Sequence, residues 1–147
     1  PILHETRGAK VGIIAYGSTE SAVEEARAQL AAAGLKSSVM RVRALPFSKT
    51  VESFIQKYEQ IIVVEMNRDG QMCQLLCMDF PALAPKLKSV AYQDGLPASA
   101  KWIREGILKF AKPAAKKKTA PTSSPKGKKK VIVKKTKKTV AKKGAKK

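Results

Sequence analysis

The chain has 147 residues, and its charge is distributed very unevenly. Residues 112–147 contain 16 Lys and no acid, whereas residues 1–111 contain 14 basic and 11 acidic residues and net only +3. The first segment is long enough for one domain with its own core. No apolar run approaches the roughly 20 residues of a membrane span, and no secretory leader is visible. We therefore expect a cytoplasmic protein with no membrane partner.

Short strands alternate with helices along the first half of this segment. The apolar run 10–16 is typical of a strand buried on both faces, and a helix with apolar residues at three- and four-residue steps follows it. Gly34 is expected to end that helix as a C-terminal cap. A strand within 35–45 and a short helix over 49–58 come next.

The alternation continues to residue 112. A second strongly apolar strand over 60–66 precedes a helix from Gly70 onward, in which Leu75 is expected to face inward. A short strand over 88–93 leads to a last helix over 97–112, with Pro97 in its first turn. This order predicts an α/β domain with a mostly parallel sheet and right-handed crossovers.

The first candidate site is the turn that ends the first buried strand, at Tyr16, Gly17, Ser18 and Thr19. Free N–H groups at a helix start can hold a phosphate. The turn has one glycine, however, and matches neither GxGxxG nor GxxxxGK. The alternative is a helix start at a subunit surface, with Ser18 or Thr19 as the N-cap, and we favour this second interpretation.

The second candidate site follows the second apolar strand, at Glu65, Asn67, Gly70 and Gln71. A carboxylate at a strand end could accept a proton or bind a partner's amide, and Gly70 permits a tight turn. The alternative is that Asn67 or Asp69 caps the following helix. In a parallel sheet, both candidate sites lie at the carboxyl ends of strands, where ligands gather.

No group of residues in the sequence is sufficient for catalysis by itself. His4 is the only histidine, with no partners at the spacing of a catalytic triad, and no metal-ligand set is visible. Cys73 and Cys77 are four residues apart, which suits neither a disulfide framework nor a CxxC zinc pair. We interpret them as buried free thiols, with a redox or metal pair as the alternative.

Residues 112–147 are of low complexity and are predicted to be a disordered tail. Lysines at this density attract polyanions through counterion release, without sequence preference. The tail has no aromatic residues, so base stacking is not expected. It either binds DNA or RNA, which makes a nucleic-acid-binding protein the alternative function, or it only increases solubility. The candidate polyanion-binding residues are Lys116, Lys117, Lys118, Lys128, Lys129, Lys130, Lys134, Lys135, Lys137 and Lys138.

Three motifs carry a family resemblance. The stretches GIIAYGST, RVRALPF and VVEMNRDGQ occur in order within residues 12–71. Residues 2–108 resemble the transketolase C-terminal-like domain of the α subunit of 2-oxoacid:ferredoxin oxidoreductases, with the 2-oxoglutarate type most similar. The resemblance implies a three-layer fold around a five-stranded mixed sheet, whose first strand runs against the others. The domain would then span 1–111, and the tail 112–147.

The same resemblance implies a reaction and its components. A 2-oxoacid and coenzyme A give acyl-CoA and carbon dioxide, with the electrons passed to ferredoxin. Thiamine diphosphate, magnesium and an iron–sulfur cluster would serve the whole complex, with no cofactor held by this chain. The implied partners are the β subunit, the preceding part of the α subunit, and ferredoxin. The two strand-end motifs would make subunit contacts, and the chain alone would be inactive.

Overall fold

The computed structural model describes residues 1–113. The strands are β1 (Ile2–His4), β2 (Val11–Tyr16), β3 (Ser37–Val42), β4 (Gln60–Glu65) and β5 (Leu87–Ala91). The helices are α1 (Glu20–Ala32), α2 (Lys49–Lys57), α3 (Gln71–Asp79) and α4 (Ala100–Leu108). Two stretches of 3-10 helix, Gly17–Thr19 and Pro81–Lys86, precede α1 and β5.

The five strands form one sheet in the order β1-β3-β2-β4-β5. The pairs β3–β2, β2–β4 and β4–β5 are parallel, and only β1 is antiparallel to its neighbour β3. The predicted α/β fold class, with a mostly parallel sheet of five strands and a reversed first strand, is confirmed.

Helices cover both faces of the sheet, and the buried side chains form two clusters. Ile13 and Val64 belong to the cluster under α1 and α4, whereas Ile14 and Val63 belong to the cluster under α2 and α3. Successive residues of a strand point to opposite faces, so the continuous apolar runs of β2 and β4 supply both clusters. The sheet therefore lies between two layers of helices, and this gives the three-layer arrangement.

Gly12 lies in the middle of β2 because α2 packs too closely for a larger residue. A Cβ atom at this position would lie 2.6 Å from Cδ1 of Ile61 and 2.9 Å from ring atoms of Phe54 and Tyr58. These distances are far below van der Waals contact. Gly12 therefore serves the packing of α2 on the sheet and does not belong to a phosphate-binding loop.

Helix ends follow the predictions in part. The backbone N–H groups of Gly34 and Leu35 donate to Ala31 and Leu30 at 2.9 Å each, which closes α1 as predicted. Leu75 is exposed, because α3 buries the adjacent Cys73 and Leu76 instead. Pro97 lies outside α4, which begins after Ser99, whose hydroxyl accepts from the Trp102 N–H at 3.3 Å.

Within residues 1–113, none of the helices has the length and apolar character required to cross a membrane.

Candidate functional site at the carboxyl edge of the sheet

The two motifs singled out from the sequence meet at the centre of the sheet. The chain passes from β2 through α1 to β3 on one side, and from β4 through α3 to β5 on the other. The neighbours β2 and β4 therefore form a topological switch point, where doubly wound sheets commonly bind ligands. Tyr16 ends β2 and Glu65 ends β4, so both lie at this crevice.

The carboxylate of Glu65 fills the bottom of the crevice. Its side chain is fully buried. Its two oxygens accept hydrogen bonds from the backbone N–H groups of Met72 at 2.9 Å and Cys73 at 3.2 Å, in the first turn of α3. Among the described residues it forms no ion pair, so these donors and the positive end of the helix dipole stabilise the buried charge.

Asn67 joins Glu65 to the end of β2. Its amide nitrogen donates to the Glu65 carboxylate at 2.5 Å and to the Tyr16 hydroxyl at 3.1 Å. Its carbonyl oxygen accepts from the backbone N–H groups of Asp69 and Gln71 at 3.1 Å each. Asn67 therefore caps the start of α3 and bridges the two strand ends at the same time.

Gly70 is required by the turn that precedes α3. Its φ of 65° lies in the left-handed region, which favours glycine. A Cβ atom there would lie 2.7 Å from the Ser89 hydroxyl oxygen and 3.6 Å from a Glu65 oxygen. The predicted tight turn is confirmed. Of the alternatives for this motif, capping by Asn67 is correct, capping by Asp69 is wrong, and the main contribution of Glu65 was not foreseen.

The turn after β2 differs from the sequence-based expectation. Thr19 occupies the N-cap position of α1, as one of the two expectations had it, but a 3-10 turn precedes the helix and the buried Thr19 side chain accepts no capping hydrogen bond. The Thr19 hydroxyl donates instead to the Tyr16 carbonyl at 2.8 Å. Ser18 is exposed to solvent, away from the Glu65 network, and Gly17 has a φ of 67°.

An open depression lies beside this network, with a volume of about 600 Å³. Arg41 and Arg43 from the end of β3 line it together with Tyr16, Leu45 and Met72. Arg41 is engaged, since it pairs with Glu20 and donates to the Gly17 carbonyl at 3.2 Å. Leu45 stands at a strand end that the sequence marks, within residues 44–46. Arg43 was not among the predicted site residues, although the RVRAL motif, with two arginines at a strand end, could have indicated it.

The loop after β5 adds an exposed apolar residue to the same edge. Leu96 is 65 % exposed, and its backbone N–H donates to the Asp94 carboxylate at 2.9 Å. The Tyr92 hydroxyl donates to the same carboxylate. The Tyr92 ring packs against the Trp102 ring, with centroids 4.5 Å apart. The hydrogen bonds from Tyr92 and Leu96 hold the pKa of Asp94 below its ordinary value.

Within residues 1–113, the side chains of the remaining sequence-based candidates form no hydrogen bond with Glu65, Asn67 or Tyr16. Cys73 is buried and Cys77 half-buried, and neither forms a disulfide. His4 lies on the edge strand β1 and shares a small cavity with Tyr16 and Arg41. Three predictions concern residues that the structure does not describe, or lie at the border of those residues, and they stay predictions. They are polyanion binding by the ten lysines, the disorder of the tail and the exact end of the domain.

Comparisons with known proteins give the family. Residues 9–95 match the model of the pyruvate:ferredoxin oxidoreductase core domain II. The chain belongs to this family. The chain is also 35 % identical over 77 residues to the α subunit of 2-oxoacid:ferredoxin oxidoreductase 2 from Aeropyrum pernix. This alignment covers 51 % of the chain and 12 % of that subunit. The predicted resemblance to 2-oxoacid:ferredoxin oxidoreductase α subunits is confirmed.

Two solved structures share the fold of this domain II chain. A 2-oxoglutarate:ferredoxin oxidoreductase from Magnetococcus marinus, with 2-oxoglutarate, coenzyme A and succinyl-CoA bound, aligns with a TM-score of 0.61 and 30 % identity. The alignment covers 74 % of this chain and 19 % of that one. A split-gene transketolase, an inactive β4 tetramer, aligns with a TM-score of 0.60 at 18 % identity over 70 % of this chain and 38 % of its own, which supports the fold alone. The chain thus spans less than a fifth of the oxidoreductases it matches.

The start of α3 does not fit the diphosphate of the thiamine diphosphate that the resemblance implies for the whole complex. A diphosphate bound there would require free N–H groups, and the Glu65 carboxylate already occupies them. Residues 1–113 also place no group of three or more His, Cys, Asp or Glu side chains where they could hold a metal ion. No step of the chemistry is therefore assigned to these residues.

Replacement of Glu65 by Gln should lower the free energy of unfolding by about 2–3 kcal/mol, because an amide cannot accept both backbone hydrogen bonds. Urea denaturation of the purified chain measures this change. The matched control is Glu59→Gln, which removes only an exposed ion pair to Lys10 and should cost less than about 1 kcal/mol. Equal losses in the two variants would contradict the role given to Glu65.

The Asp94 contacts should be lost in acid. The folded-state pKa of Asp94 is lowered, so its hydrogen bonds stabilise the folded chain at pH values above the ordinary carboxyl pKa. This stability is lost as the pH falls through the lower, folded-state pKa. Trp102 is the only tryptophan, and its fluorescence should change below about pH 4. In Asp94→Asn this step should be missing, and an identical pH profile in both proteins would refute the assignment.

Proposed function

We propose that this domain supports the assembly of a 2-oxoacid:ferredoxin oxidoreductase and borders its active site, without performing the chemistry itself. The closed crevice carries this proposal. Glu65, Asn67 and Tyr16 satisfy one another where an α/β sheet usually binds its ligand. Another molecule can therefore contact the carboxyl edge of the sheet only at its outer surface, which carries apolar and arginine side chains.

The whole enzyme in which we place the domain converts a 2-oxoacid and coenzyme A into acyl-CoA and carbon dioxide and passes the electrons to ferredoxin. We propose a cytoplasmic complex with thiamine diphosphate, magnesium and an iron–sulfur cluster on other domains. The family and the α subunit of the Aeropyrum pernix relative support this placement. The Magnetococcus marinus enzyme has 2-oxoglutarate bound, which makes a 2-oxoglutarate type our first candidate.

The docking surface for the rest of the complex is the carboxyl edge. Leu45, Met66 and Leu96 follow three of the four parallel strands, β3, β4 and β5, and are 57 %, 38 % and 65 % exposed. Arg43 is exposed and lines the same depression as Leu45. An apolar group with a charged residue at its margin is typical of a protein interface. The occupants we propose are the preceding part of the α subunit and the β subunit.

Charge reversal tests this surface. The chain is co-expressed with the rest of the α subunit and the β subunit from the same source, and the complex is isolated through a tag on the β subunit. We expect Arg43→Glu to reduce the co-purified chain at least several-fold, because a hot-spot arginine contributes about 2 kcal/mol or more. The matched control is Lys36→Glu, since Lys36 is exposed and lies before β3, at its opposite end.

Two outcomes separate the possible errors. If the unaltered chain does not co-purify, the assembly role is wrong. If it co-purifies and Arg43→Glu and Lys36→Glu behave alike, the role stands but the carboxyl edge is not the docking surface.

The composition of residues 112–147 supports a second proposal, that the lysine-rich tail binds DNA or RNA. Its 16 lysines without an acid should give binding that weakens about 10³-fold or more between 50 and 200 mM salt. Fluorescence anisotropy with a random duplex measures this dependence, and the chain ending at residue 113 is the control. Binding that survives the truncation, or that ignores salt, would contradict the proposal.

A further inference from the structure

Helix α3 carries two thiols one turn apart. Cys73 and Cys77 are separated by four residues, so their side chains leave the helix on the same face. Cys73 belongs to the buried cluster under α2 and α3, and Cys77 packs against that cluster while remaining half-buried. One thiol is therefore enclosed, and its neighbour gives access from outside.

The two thiols are close enough to influence each other. Cys77, Lys88 and Glu65 are the neighbouring groups that act on the Cys73 thiol. Burial, and then the neighbouring Cys77, raises the pKa of Cys73 to about 12. Cys73 is thus a protonated thiol at neutral pH and a poor nucleophile by itself.

A disulfide does not suit this pair. Disulfide formation needs Cβ atoms about 3.5–4.5 Å apart, whereas residues four apart on a helix have Cβ atoms about 5–6 Å apart. The start of α3 cannot unwind freely, because the Cys73 N–H donates to Glu65 and the Gln74 N–H to Gly70. The redox-pair alternative left open by the sequence is therefore unfavourable.

A single bridging atom suits the pair better. An atom that binds each sulfur at about 2.3 Å, as zinc does, holds two sulfurs about 3.5–4 Å apart. Two cysteine side chains whose Cβ atoms lie about 5–6 Å apart on one helix face can bring their sulfurs to this separation. Zinc itself requires four ligands, and within residues 1–113 no third His, Cys, Asp or Glu completes such a group. The bridging atom must therefore be satisfied by two sulfurs from the protein.

We propose that Cys73 and Cys77 together form a modification site for monosubstituted trivalent arsenicals. The hydrated arsenical, R–As(OH)₂, condenses first with the accessible Cys77 thiol and then with Cys73. Two As–O bonds and two S–H bonds break, two As–S bonds form, and two water molecules leave with both thiol protons. Arsenic remains trivalent, so no oxidant or reductant is needed.

Phenylarsine oxide tests the proposal on the full chain under native conditions. Intact-mass spectrometry should show one phenylarsenic group per chain that persists through gel filtration. A dithiol such as dimercaptopropanol should remove it, whereas a monothiol at the same thiol concentration should not. Cys73→Ser and Cys77→Ser should each bind on the order of 10²-fold more weakly, since each loses the intramolecular second bond.

Circular dichroism verifies that both Ser variants remain folded, and diamide treatment gives an independent measurement. No internal disulfide should form in the native chain, although both thiols remain countable after denaturation. The proposal is wrong if either Ser variant retains the label as tightly as the parent, if labelling requires urea, or if diamide readily joins Cys73 to Cys77 in the native state.

Discussion

The interaction on which this domain depends is the burial of the Glu65 carboxylate against the first turn of α3. Three N–H donors, from Met72, Cys73 and Asn67, surround it. A buried charge without donors would cost several kcal/mol, so β4, the following loop and α3 must keep their relative positions. Asn67 extends the same constraint to Tyr16 and thus to β2. The Glu65 carboxylate and its donors therefore hold β2, β4 and α3 in their relative positions.

This arrangement fills the crevice in which many α/β folds bind a ligand. In many α/β sheets a helix N-terminus at the switch point holds a phosphate, whereas here the protein supplies its own anion. The crevice is closed by Glu65, and the arginines of β3 lie outside it, around an open depression. In the role we propose, the outer surface of this edge therefore contacts the rest of the complex.

Helix α3 takes part in both the Glu65 hydrogen-bond network and the pair of thiols. Its first turn holds Glu65, and the same turn bears Cys73, whose backbone N–H is one of the donors. The helix is too short to be stable alone, so its geometry derives from these contacts and from the apolar cluster beneath it. That geometry keeps the two thiols on one face of the helix and too far apart at Cβ for a disulfide.

The sequence by itself determined the elements and their order. Continuous apolar runs marked β2 and β4 as buried on both faces, helical periodicity marked α1 and α2, and Gly34 marked the end of α1. These signals are local, since they depend on residues a few positions apart. The motifs that carried the family resemblance also identified the correct strand ends, with Gly70 at its turn.

Only the tertiary structure decided which polar groups meet. Thr19 stands at the N-cap of α1 as expected, but an added 3-10 turn buries it and its hydroxyl donates back to Tyr16 instead of capping the helix. Glu65 reaches N–H groups seven and eight residues away, and Asn67 contacts Tyr16 across 51 positions. Such partners depend on which strands are neighbours in the sheet, and the pairing of β2 with β4 is a property of the assembled core that no local pattern encodes.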